Sequence, residues 1–409
     1  MGFGARAPLA RKSAGVLVAT ALVFGLGGCG ETEIAGHAIR EAPDPSTLDV
    51  GNYPSVPRQI GNAKNDQQAR ARESQRLSDH VALPYEADPA YVEDAWGVRP
   101  HIVLNRKTLG PLVINDTFDE VAEDLSAGWV NAWQTGGEWA APRRTMNLAV
   151  LEFPDAQIAS EVGPTLEHDD FTYSGDNQPV PIPGHADTTA HWRPSINSIG
   201  SWTVHDRYVI FMKVVDDIGP PDLGMLVDQV QRMLAVQLPL LDQFQPTPAD
   251  GLSRIPLDPQ GLLGRTLPSD TDHLIRAEPD GVFTGRGSLS LMQAKDTTLP
   301  EMQNNGVDLV SFGDAVVFRS TARTGAEGLW AAWRPSTHLE PEQRMVEAPS
   351  GLGDNVECYG EVTPKSDPET IAMHLCVFQV DRYVVQAFGK QLQDLHQKIA
   401  AQYALLTSP

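Results

Sequence analysis

Apolar residues form one run free of charge, from about Ala14 to Leu26, and afterwards recur only in short periodic groups. The run is far shorter than the roughly 20 residues that a membrane-spanning helix needs. Arg6, Arg11 and Lys12 precede it and small residues follow it, which is the three-part build of a secretory signal peptide. Residues 31 to about 62 carry Pro43, Pro45, Pro54 and Pro57 without apolar periodicity and predict an extended tether. From Lys64 to His80 the chain is polar on nearly all sides, so a helix there is solvated or docks by a narrow face.

Further along, Asp116 is a good N-cap, and Phe118, Val121, Ala122, Leu125 and Trp129 follow it at helical spacing, predicting a helix. A strand is expected over Asn147–Phe153, then a helix that Pro154 is placed to begin. Ser201 to Val214 reads as two strands meeting near His205-Asp206, and a long amphipathic helix opens at Asp222 with Leu223, Leu226, Val227, Val230 and Leu234 on one face. Between Phe244 and Pro268, prolines 246, 248, 256, 259 and 268 interrupt all periodicity. Beyond them the pattern returns weakly. Ala315–Phe318 parallels Ala149–Phe153, Asp381-Arg382-Tyr383-Val384 parallels Asp206-Arg207-Tyr208-Val209, and Leu392, Leu395, Ile399 and Leu406 line a terminal helix.

Helices and hairpins mixed without a βαβ rhythm predict an α+β protein. Two weakly similar tandem domains are expected, each a mainly antiparallel sheet with helices packed on one face. The divisions are a signal peptide at 1–28, a lipidated tether at 29–62, a polar helix and extension at 63–110, a first domain at 111–245, a linker at 246–268 and a second domain at 269–409.

The formal net charge of −22 argues against nucleic acid as a partner and against lying flat on anionic lipid. Three cysteines exclude a disulfide-rich scaffold and zinc-ribbon spacing. Leu26-Gly27-Gly28-Cys29 resembles the lipobox of bacterial lipoproteins. That resemblance implies a diacylglyceryl group, palmitate-bearing or similar, on Cys29 and an anchor at the outer face of the cell membrane. Cys358 and Cys376 remain as a pair on the exported side and are expected to form a disulfide. The stretch Leu48-Asp49-Val50-Gly51-Asn52-Tyr53-Pro54-Ser55-Val56-Pro57-Arg58, after a lipidated cysteine and before two α+β halves, resembles a group of actinobacterial lipoproteins catalogued as a domain of unknown function. The order of strand, turn, Arg-Tyr-Val strand and terminal helix is also similar to extracytoplasmic sensor domains of mycobacterial receptor kinases.

No G-x-S-x-G, S-x-x-K, H-E-x-x-H, C-x-x-C, P-loop or EF-hand spacing occurs, and no Rossmann fingerprint is indicated. His185, Asp187 and His191, with the pairs Asp169-Asp170 and Asp216-Asp217, are the nearest approach to a metal set, and solvated loop residues explain them as well. The sequence therefore assigns no catalytic, cofactor-binding or metal-ligating residue and no cofactor. Trp129 with Trp133, and Trp330 with Trp333, share a face if helical. They are core residues, or else the aromatic wall of a ligand cleft between the halves. The leading functional reading is a non-catalytic binding or scaffolding protein of the cell envelope that recognises a lipid, glycan or membrane-protein partner. A sensor beside a membrane kinase or transporter comes next, and a hydrolase with a dispersed site last.

Overall fold

All nine residues of the strand Ala127–Thr135 are buried, and its neighbour Arg144–Glu152 is buried beyond its first two, so the sheet they form needs a cover on both faces. The computed structural model describes residues 43–138, 140–270, 278–292, 295–362 and 370–408. The expected signal peptide at 1–28 and the lipidation site Cys29 lie outside the described residues.

The elements begin with helix α1 (Asp66–Leu77). A first sheet follows, from β1 (Tyr91–Asp94), β2 (His101–Ile102), β3 (Ala127–Thr135), β4 (Arg144–Glu152), β5 (Gln178–Pro181), β6 (Thr188–Arg193), β7 (Ser198–His205) and β8 (Tyr208–Asp216). Helix α2 (Ala156–Thr172) intervenes after β4 and α3 (Leu223–Leu241) follows β8, each capped by the side chain of the aspartate before it. The second sheet comprises β9 (Gly281–Thr284), β10 (Val307–Phe312), β11 (Ala315–Ser320), β12 (Gln343–Val346), β13 (Val356–Val362), β14 (Ile371–Val380) and β15 (Tyr383–Gly389). Its helices are α4 (Lys295–Asn304), α5 (Arg323–Trp333) and α6 (Leu392–Thr407).

Among the described residues every strand pairing is antiparallel. The first sheet runs β1-β3-β4-β8-β7-β6-β5, with β2 also on β3, and the second runs β9-β10-β11-β15-β14-β13-β12. The order is therefore the same in both halves. The two Asp-Arg-Tyr segments are equivalent hairpin turns: Asp206 and Asp381 adopt φ of 49° and 47°, a left-handed conformation that aspartate tolerates better than most residues. The following carbonyls, of Arg207 and Arg382, accept from Phe153 and Ser320, each at 2.9 Å.

The expectation of helices on one face of each sheet needs correcting. Ala159, Val162 and Leu166 of α2 meet Ala149, Leu151, Val209 and Phe211, whereas Leu226, Val230 and Leu234 of α3 meet Leu148, Val150, Ile210 and Met212 on the opposite face. In the second half, α6 covers Val317, Val385 and the two cysteines, and α5 covers the other face. The two α+β domains are present as expected, each with a cluster of its own behind α2 or α6, and a central cluster joins the α3 face of the first sheet to the α5 face of the second, so that Pro43 onward is one compact unit.

Three further expectations change with it. The helix read from Asp116 to Trp129 is one turn, Phe118–Val121, after which the chain becomes β3 and carries Trp129 and Trp133. A strand buried on both faces has no polar alternation, and helical spacing fitted it by coincidence. Residues 63–110 are not an extension, because they supply two strands of the first sheet and α1, which buries Arg72, Glu73, Ser74 and Gln75 between the halves. Arg72, Glu73 and Ser74 are paired with backbone of segments far along the chain. Arg72 donates to the Val282 carbonyl at 2.5 Å, and Ser74 Oγ accepts from Gly128 N–H at 3.0 Å.

The tether, finally, is docked from Pro43 to its end. Asp49 accepts from Gln397 at 3.0 Å, Tyr53 donates to Asp394 at 2.9 Å, and Arg58 donates to the Thr266 carbonyl at 2.8 Å. Gly51 turns with φ of 52°, and a β-carbon there would lie 2.4 Å from Gln397 Oε1. Contacts made by single side chains on α6 leave no periodic trace.

Cys358 and Cys376 stand directly opposite on β13 and β14 and are joined by a disulfide, as expected. Their separation of 18 residues gives a chain-entropy stabilisation of about 3 kcal/mol. The double variant Cys358→Ala, Cys376→Ala should lose roughly that much in urea unfolding, and an unchanged midpoint would contradict the account. Among the described residues no helix is long and apolar enough to cross a membrane.

Candidate functional site

The tryptophans singled out in the sequence line neither of the two cavities described below. Trp129 and Trp133 are 0% and 1% exposed and Trp330 is 9% exposed, while Trp333 packs against the same central cluster. Trp129 Nε1 donates to Asn131 at 3.1 Å and its ring meets Phe283 edge-on at 5.8 Å; Trp333 lies 4.8 Å from Phe318. Across the halves, the buried Lys295 pairs with Asp94 and sits 4.9 Å above the Trp133 ring. Burial pulls the Lys295 pKa down, and Asp94 opposes that shift. The tryptophans and this ion pair hold the halves together, which corrects their reading as a ligand wall. Aromatic side chains of this size bury the most surface where two sheets meet.

The loop set also separates. His191 faces Asp170 at 3.6 Å, not His185 or Asp187, and among the described residues no group of three or more His, Cys, Asp or Glu side chains is arranged to hold a metal.

A cavity of about 350 Å³ does open between the halves, where α1, the segment after α3 and strand β9 converge. Arg72 and Arg76 enter it from successive turns of α1. Arg72 is nine-tenths buried and its Nε has no hydrogen-bond partner. Burial, then the neighbouring Arg76, lowers its pKa to about 10, so it stays a cation at neutral pH. Arg76 is held from three sides: Glu73 pairs with it at 2.7 Å, Thr247 Oγ1 accepts at 2.6 Å and the Gln245 carbonyl at 2.9 Å. Its guanidinium lies 5.3 Å from the Phe244 ring.

His80 packs against that same ring at 5.0 Å. Its Nδ1 is 2.9 Å from the Leu240 carbonyl, which only accepts, so Nδ1 carries the proton and Nε2 is left toward Asp79 at 3.9 Å. Thr284, the hydroxyl in the lining, donates to Asp79 at 2.5 Å and not to the imidazole. Gln260 accepts from Arg319 at 2.7 Å, which fixes its amide at the wall, and Gln243 and Gln245 stand exposed at the rim. The result is a rigid set of donors and acceptors of both signs around aromatic edges, suited to a compact polar ligand. Sequence reasoning missed these residues because their partners are carbonyls and side chains about 170 to 210 positions away. The one available sign was a helix with no apolar face beside a proline-rich segment.

With this geometry in hand, two family models match the chain. One is the N-terminal part of a domain of unknown function (DUF7373), over residues 60–257, and the other its C-terminal part, over residues 262–408. They are different models, so no tandem repeat of sequence is evident, and what recurs is strand order. No match is found among curated proteins. Among solved structures, the extracellular domain of PknH from Mycobacterium tuberculosis is similar at 11% identity and a TM-score of 0.28, over 42% of this chain and 97% of that one. A likeness at that level carries no argument.

Proposed function

We propose that this chain, which belongs to the DUF7373 family, is an exported lipoprotein that binds a compact polar ligand of the cell envelope, a glycan or a lipid headgroup, without catalysing a reaction on it. The observation that carries the reading is the cavity between the halves, with buried Arg72 on its wall and an exposed glutamine rim. The leader, the cysteine at its end and the disulfide support export. Two acyl chains or more on Cys29 would give stable anchoring.

Two variants test the halves of the proposal separately. Cys29→Ala should leave unprocessed precursor or release the protein from the membrane fraction, and unchanged processing with unchanged hydrophobic partitioning would overturn the anchor. Gln243→Trp places a large ring at an exposed rim position. Small molecules that co-purify with the parent, read by mass spectrometry, should drop at least tenfold in the variant while its melting temperature stays put. Equal retention would move the binding site elsewhere.

A further inference from the structure

Antiparallel register puts Asn147, Lys213, Gly200 and His191 in one row across β4, β8, β7 and β6, on the face that α2 covers. Three of the four are polar on a face otherwise built from Ala149, Leu151, Trp202 and Phe211. The fourth is a glycine whose β-carbon would lie 3.1 Å from His191 Nε2 and 3.5 Å from Asp170 Oδ2. Lys213, Gly200 and His191 of this row line a cavity of about 60 Å³, apart from the one between the halves. At about 10–15 Å³ per water that is room for roughly four to six waters, a space for a small polar group and not for a large ligand.

The groups around it are cationic in an acidic protein. Lys213 has no hydrogen-bond or ion-pair partner among the described residues. Arg193 gives its Nε and Nη2 to Asn177 Oδ1, at 3.2 and 3.1 Å, which aims the guanidinium along the wall. His191 is 6% exposed and its Nδ1 has no partner. Asp170, from α2, is the opposing charge, and it is engaged already: it accepts from Trp202 Nε1 at 2.9 Å and faces His191 Nε2. His191 thus has one nitrogen turned to a carboxylate and the other without a partner. Leu112, Val113, Phe211 and the half-exposed Ile196 supply an apolar side to the wall, with Ser198 beside them.

We propose that this cavity binds a single oxyanion group, phosphate or a phosphate ester, held by Lys213, Arg193 and His191. The apolar wall admits an ester as well as the free ion, and both present the same oxygens. Burial, then Arg193 and Lys213, holds the His191 pKa down against the pull of Asp170. A bound anion offsets those two cations, so binding takes up a proton and weakens as pH rises.

The test uses the full-length protein in neutral detergent, titrated with inorganic phosphate and, separately, with short-chain phosphatidic acid. Affinity for at least one is expected, and the tighter of the two identifies the source. With either bound, the His191 imidazole pKa read by NMR should rise by about one unit. Lys213→Met should weaken binding at least tenfold, and Gly200→Ala, which intrudes into the cavity, should do the same with the lysine intact. No saturable binding of either probe, or parent affinity in folded Lys213→Met, would overturn the site.

Discussion

Trp129→Ala is expected to loosen both halves of the protein together. The side chain is fully buried at the centre of the cluster that both sheets share, and truncating a buried tryptophan costs about 3 to 5 kcal/mol. The indole also donates to Asn131, whose amide donates in turn to the Ala82 carbonyl at 2.8 Å, so the truncation strands a polar group beside α1. Its contact with Phe283 on β9 carries the loss into the second sheet. Hydrogen exchange measured on the folded variant should therefore speed up in β13 to β15 as well as in β3 and β4. Acceleration confined to the first sheet would mean that the halves are independent cores and that the shared cluster contributes little.

The strands and caps that were legible in the sequence are those whose causes are local. The helix expected from Asp222 opens there because the Asp222 side chain caps α3, and the one expected from Pro154 opens one residue later, capped by Asp155. Asp206 and Asp381 mark hairpins because the turn itself demands a left-handed residue. The disulfide was legible because the expected export and the count of cysteines leave one pairing. What was hidden depends on the far side of the molecule. Helix α1 looks solvated until Val282 and Gly128 are brought against Arg72 and Ser74. The segment from Asp49 to Arg58 looks like a tether until α6 donates to Asp49 and the loop before β9 accepts from Arg58. Both cavities belong to this class: one needs α1 and β9 together, the other needs four strands in register. Even the two-fold use of one strand order hides an asymmetry, since the halves meet through non-equivalent faces, that of α3 in one and that of α5 in the other.

The same interface carries a buried acid that should make the protein sensitive to alkali. Glu152 ends β4 on the face toward α1, is 2% exposed, and its Oε2 has no hydrogen-bond partner. Burial, then the nearby Glu73, pushes its pKa up to about 8, with Arg207 and Arg76 pulling the other way. Across the strand pair, burial and then Glu152 raise the Tyr208 hydroxyl too. In the unfolded chain Glu152 titrates near 4.5. The folded state thus holds a proton that the unfolded state releases. Stability from that proton is fully present below pH 4.5 and is lost as pH rises through about 8. At about 1.36 kcal/mol for each pH unit between the two values, the loss is on the order of 5 kcal/mol. Glu152→Gln keeps the shape and has no proton to lose. In urea unfolding it should match the parent near pH 4 and exceed it by a few kcal/mol at pH 9. A difference between the two proteins that does not grow with pH would show that Glu152 is ionised in the folded state. Glu73 pairs with Arg76 on the wall of the larger cavity. Ionising Glu152 therefore adds a second negative charge behind that pair, and the alkaline loss of stability should be accompanied by weaker ligand retention in the parent but not in Glu152→Gln.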